Sequence, residues 1–155
     1  MEKENRSDKF KRLAETRMSK VLMNMDLISN LSNKQRYEYT ESEIEELFEA
    51  YQRKGNEIRQ YFSENPPENK PIEINFNFIE KSGKLNKKNI DFRRLSEKRM
   101  SRIFKDMNLI ANLSTKTNYA YSENEIIELF QVYYEKGVGV KERFFPRSQF
   151  KFSRK

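Results

Sequence analysis

The sequence predicts a mainly α protein with a small β element: two tandem αα-hairpins in a pseudo-two-fold four-helix arrangement, with paired strands near 72–78 and 148–153. Three observations carry this expectation. Residues 10–62 align without a gap on residues 92–144, with 26 identities in 53 positions, so the chain is an internal duplication. Within each copy, apolar residues recur at helical spacing in two successive runs. Between and after the copies, IEINFNF and SQFKFS alternate apolar with polar, the period of a half-buried strand. The chain reads as one domain over 1–155, with repeat 1 at 8–63, a strand-bearing linker at 64–89, and repeat 2 with its C-terminal strand at 90–153.

The first helix is expected near 8–30. Phe10, Leu13, Ala14, Met18, Val21, Leu22, Met25 and Ile28 fall on one face. Asn30 is a natural stop, because Asn tolerates the left-handed conformation at a helix end. The second helix is expected near 41–62. Thr40 and Glu43 fit the S/T-x-x-E capping box, and Tyr39 with Ile44 fits the hydrophobic staple. Gly55 lies on its apolar face. A mid-helix Gly costs about 1 kcal/mol relative to Ala, so its recurrence as Gly137 points to a close crossing or a kink. SENPPENKP then ends helix two, and Ile72, Ile74, Phe76 and Phe78 lie on one side of the expected strand. The second copy repeats the series, with helices near 90–112 and 123–144, a cap at Ser122 and Glu125, and Phe150 and Phe152 in the terminal strand. A hairpin of this size rarely buries enough surface to stand alone, so the two are expected to share one core.

Composition narrows the function. The chain has no Cys and no His, which removes disulfides, thiolate metal sites, the commonest metal ligand and the commonest general base. No glycine-rich phosphate loop is present. Ser19 and Ser101 follow Arg-Met in both copies, but no base is available to activate them. No catalytic, metal or cofactor-binding residue is expected. The polar N-terminus and the lack of a long apolar run predict a cytoplasmic protein that does not engage a membrane.

The net charge of +7 is uneven. The first helix of each hairpin is basic and the second acidic, and the last 13 residues hold five basic side chains and no acidic one. Pairing within each hairpin accounts for much of this, with Arg17 and Arg99 lying along the apolar face to reach a Glu. Two surfaces remain as candidates. Arg12, Arg17, Lys20, Arg94, Arg99 and Arg102, with Arg147 and Lys151 of the tail, form a possible phosphate-binding set. Glu41, Glu45 and Glu49, beside Glu43 and Glu46, give the second helix an acidic face. On the last helix, Glu45, Gln52 and Asn56 of copy one become Ile127, Tyr134 and Val138, a second apolar stripe. Either the linker covers this stripe, or it is an exposed contact for a partner or a second copy.

The helix ending in Asn30-Leu31-Ser32-Asn33, followed by Tyr37-Glu38-Tyr39-Thr40 and a second helix, resembles small helical proteins of mobile elements and phages of low-GC Gram-positive bacteria. Those carry one such unit where this chain carries two, so a fused pair here stands where two separate copies would. Small non-enzymatic proteins of such elements include anti-CRISPR proteins. The resemblance therefore implies a non-catalytic protein-binding module, with an inhibitor of an RNA-guided nuclease as its sharpest form. The alternative is a small nucleic-acid-binding or regulatory protein using the basic helices and tail. The chain is expected to be a monomer or a homodimer.

Overall fold

The computed structural model describes residues 3–79, 86–145 and 152. Among these, four long helices carry the architecture: α1 (Arg6–Ser29), α2 (Glu41–Arg59), α3 (Lys87–Ala111) and α4 (Glu123–Glu142). Local chemistry sets each start. Asn5 and Asn86 cap α1 and α3 by accepting from Asp8 N and Asn89 N. Thr40 and Ser122 form complete capping boxes with Glu43 and Glu125. The helix ends differ from expectation. Asn30 and Asn112 keep right-handed dihedrals, and each opens a 3₁₀ turn, Asn30–Ser32 and Asn112–Ser114. That tightening uses up orphan carbonyls without a left-handed residue, and buries Leu31 and Leu113. Tyr39 and Tyr121 then lock the corners by donating to the Ser32 and Ser114 carbonyls, both at 2.9 Å.

The hairpins are related by a pseudo-two-fold axis, visible in contacts that recur with the copies exchanged. Phe10 meets Tyr121 as Phe92 meets Tyr39, and Phe62 meets Tyr121 and Phe130 as Phe144 meets Tyr39 and Phe48. On the axis, Tyr51 and Tyr133 stack with centroids 4.0 Å apart, each hydroxyl donating to the other's carbonyl. Gly55 and Gly137 make this crossing possible. A Cβ at Gly55 would overlap the Tyr133 ring, and one at Gly137 would lie 2.6 Å from Tyr51 Cε2. The crossing is the reason for both glycines, and α4 continues unbroken through Gly137 and Gly139. Arg17 and Arg99 also act reciprocally: Arg17 donates to the Leu109 carbonyl and Arg99 to the Leu27 carbonyl, both at 2.7 Å. They reach the last turn of the opposing helix, where unpaired carbonyls and the helix dipole favour a cation, rather than a Glu. A single core joins all four helices, from Phe10 and Met25 through Leu47 and Ile58 to Phe104, Phe130 and Phe144.

The expected β element is not formed. The described residues contain no strand and no sheet. Segment 72–78 packs on helices instead of on a second strand, and its expected partner at 148–153 lies outside the described residues except for Phe152, which is not in a strand. The alternating face also divides: Phe76 and Phe78 are buried while Ile72 and Ile74 are exposed. Two successive aromatic anchors fit a groove between helices, and the segment's amides are met by side chains, which removes the need for a ladder.

Candidate protein-binding groove

The linker settles between α2 and α3, running antiparallel to both. At its start, the Glu73 carbonyl accepts from Lys54 Nζ at 2.7 Å and Asn108 Nδ2 at 3.3 Å. Phe76 N donates to Ser101 Oγ at 2.9 Å, Phe78 N to Glu97 Oε2 at 2.9 Å, and Ile79 N to Glu46 Oε2 at 2.6 Å. Between these bonds the Phe76 and Phe78 rings turn inward, Phe76 against Phe104 and Phe78 against Phe92. Five helix side chains therefore read the backbone of one extended segment, two at a carbonyl and three at amides, and apolar floor residues take its alternate side chains.

The pseudo-two-fold axis carries this groove onto a second one, between α1 and α4. Here the three amide-binding side chains are retained as Ser19, Glu15 and Glu128, and the floor residues Phe104, Leu47 and Ala50 become Leu22, Leu129 and Val132. These residues line an open depression of about 380 Å³ together with Phe10, Ala14 and Met18. Its floor is unoccluded by any described segment. Ala50 under the linker is 1% exposed, whereas Val132 is 39% exposed. The rim is set by Lys11 and Glu125, 3.7 Å apart, and by Lys136 and Asp26, 2.5 Å apart. Glu15, Ser19 and Glu128 face the opening. Thus the α1/α4 groove offers hydroxyl and carboxylate acceptors to amides and an apolar floor to side chains.

The sequence candidates fall elsewhere. Of the acidic face, Glu43 is buried and accepts from Asn89 Nδ2 at 3.1 Å and Arg93 Nε at 2.5 Å, tying α2 to α3. Glu46 caps the linker. Glu45 pairs with Lys141 at 3.0 Å. Glu41 and Glu49 face solvent. The apolar stripe is left uncovered by the linker. Ile127 and Tyr134 line an open depression of about 850 Å³ between α2 and α4 with Arg59, Phe62 and Lys116, and Val138 is exposed beyond it. The Tyr134 hydroxyl donates to Asn56 Oδ1 at 2.5 Å, so the stripe's middle member also joins the two helices. Of the basic set, Arg17 and Arg99 are committed to carbonyls, and burial lowers the Arg99 guanidinium from its ordinary value. Arg12 binds Glu4 at 3.0 Å and Arg94 lies 3.7 Å from Asp91. Lys20 and Arg102 are exposed, and Arg147 and Lys151 lie outside the described residues.

The groove residues escaped sequence reasoning because each is an ordinary helix-surface residue. The available signal was their identity in both copies at positions facing away from the core: Glu15 with Glu97, Ser19 with Ser101, Glu46 with Glu128. Burial pushes the Tyr51 and Tyr133 hydroxyls well above the usual tyrosine value, and Tyr39 and Tyr121 rise for the same reason. These groups serve the core. Among the described residues no cluster of acidic side chains could hold a metal ion, and no helix is long and apolar enough to cross a membrane. No family model, curated protein or solved structure matches the chain.

Proposed function

We propose that the protein is a non-catalytic protein-binding module that takes an extended, aromatic-bearing segment of a partner into the α1/α4 groove. One observation carries this reading. The fold holds such a segment, Ile74–Ile79, in the related α2/α3 groove, and the three side chains that bind its amides there are identical in the open one. Recognition would combine main-chain hydrogen bonds with pockets for alternate side chains, the logic by which extended peptides are bound generally. The narrower form, an inhibitor of an RNA-guided nuclease, is supported by the resemblance of the Asn30–Thr40 corner and by no residue pair in the fold.

A labelled peptide with the sequence of residues 72–79 tests the reading by fluorescence polarisation. Saturable binding is expected, weakened at least tenfold by Glu15→Gln together with Ser19→Ala, since each charged or polar bond is worth about 1–2 kcal/mol. Glu41→Gln and Glu49→Gln should leave it unchanged. No binding by the folded chain, or binding indifferent to Glu15 and Ser19, would sink it.

A further inference from the structure

Resting on that reading, we infer that the segment filling the α1/α4 groove is the C-terminal Gln149-Phe150-Lys151-Phe152 of a second copy of this chain, exchanged reciprocally. Three observations lead there. The chain contains one other Phe-x-Phe besides Phe76-Asn77-Phe78, and it follows α4 as the linker follows α2. Its Phe152 is 82% exposed. The charges also match. The last 13 residues carry five basic and no acidic side chains, and the groove presents Glu15, Glu125 and Glu128.

Reach decides between the chain's own tail and a partner's. The linker spends thirteen residues between Phe62 and Phe76, reversing direction before it enters its groove. The tail has five residues between Phe144 and Phe150. Phe76 sits level with Ala50, between the Lys54 and Glu46 contacts, so the matching slot is level with Val132. Climbing back from Phe144 to that level covers about 18 Å of helix at 1.5 Å per residue. Six extended steps span at most about 22 Å, and the few ångströms left over are too short for a reversal of the chain. In the register that seats both rings, the tail cannot close on its own groove. It can enter that of a neighbour. Reciprocal exchange makes a closed two-fold dimer, each copy giving a tail and accepting one. With two aromatic anchors per groove, the contact is small and its affinity is on the order of micromolar.

Analytical ultracentrifugation of the full chain, from low-micromolar to near-millimolar concentration, tests this. The expected result is a monomer–dimer equilibrium that Phe150→Ser with Phe152→Ser abolishes. Val132→Glu should abolish it too. Mixing these two variants, each monomeric alone, should regenerate a heterodimer through the single intact tail–groove pair. Val132 lies at the surface, and helical circular dichroism of both variants checks folding. A wild-type chain monomeric throughout, or a dimer that survives the double Phe variant, overturns the inference. A peptide of residues 148–155, added to the double Phe variant, separates the causes of failure. If that peptide or the 72–79 peptide binds while the wild type stays monomeric, the groove reading stands and the second copy is wrong. If binding appears only once the tail is altered in a monomeric chain, the tail occupies its own groove and the inference fails. If neither peptide binds, the groove reading falls with it.

Discussion

Beneath the linker, Ala50 is 1% exposed; in the same position of the other repeat, Val132 is 39% exposed. The two grooves share their amide-binding side chains and their floor chemistry, yet one is a finished part of the core and the other is open. The difference lies in the connecting chain. After α2 the sequence supplies a long polar turn and then Phe76 and Phe78. After α4 the tail keeps the aromatic pair and drops the turn. Duplication thus made two equivalent grooves, and the linker after α2 covers one of them.

The largest expected effect lies at the filled groove. Phe76→Ala should destabilise the protein by about 3–5 kcal/mol, the usual range for a buried Phe, whereas Ile72→Ala, exposed at the segment's start, should change stability by less than about 0.5 kcal/mol. Urea unfolding measures both. Equal losses would mean that the whole segment packs as the sequence-based strand does.

Next come the two capping-box glutamates, alike in sequence and unlike in burial. Glu43→Gln breaks a buried ion pair with Arg93 and should lose about 3 kcal/mol or more. Glu125→Gln breaks a looser pair with Lys11 at the surface and should cost about 0.5 kcal/mol or less. A loss at Glu125 as large as at Glu43 would contradict the asymmetry.

The glycines separate crossing from mere helix. Gly137→Ala drives a methyl into Tyr51 and should lose about 1–3 kcal/mol. Gly139→Ala meets open space and should gain up to about 1 kcal/mol. Thermal melts of the two variants should therefore move in opposite directions.

Alkaline titration examines the axis itself. Tyr51 and Tyr133 have folded-state values raised above the ordinary tyrosine value of about 10 by burial. The folded chain therefore holds more protons than the unfolded chain once the pH passes about 10, and stability falls from there upward. Tyr51→Phe with Tyr133→Phe should flatten that decline, read as a shallower loss of midpoint between neutral and strongly alkaline pH.

The smallest effect is at Ser96, fully buried with an Oγ that has no hydrogen-bond partner among the described residues. Its counterpart is Ala14. Ser96→Ala should leave stability unchanged or raise it by about 1 kcal/mol, since a buried unsatisfied hydroxyl carries a desolvation cost.

The helices were legible in the sequence because capping boxes and apolar spacing act locally. Gly55 and Gly137 were legible as a crossing or a kink, and the Tyr133 and Tyr51 rings packed on them decide for the crossing. The linker was misread, since Ile72 to Phe78 has the period of a strand and periodicity cannot say whether the surface opposite is another strand or a helix groove. Glu97, Ser101 and Glu46 decided that outcome from positions distant in sequence, and helix-surface serines and glutamates carry no local mark of the backbone they will meet. The acidic face is narrower than α2 alone suggests: Glu43 and Glu46 find partners on α3 and the linker, while Glu41 and Glu49 stay at the surface. The α1/α4 groove was hidden until its filled counterpart was seen.

The most direct test is methyl NMR of the full chain titrated with the residue 72–79 peptide, under conditions where the chain is monomeric. The Leu22, Leu129 and Val132 methyls should shift with saturation, while those of Leu47 and Ala50, already under the linker, stay in place. Shifts confined to Ile127 and Val138, or none at all, would contradict the account.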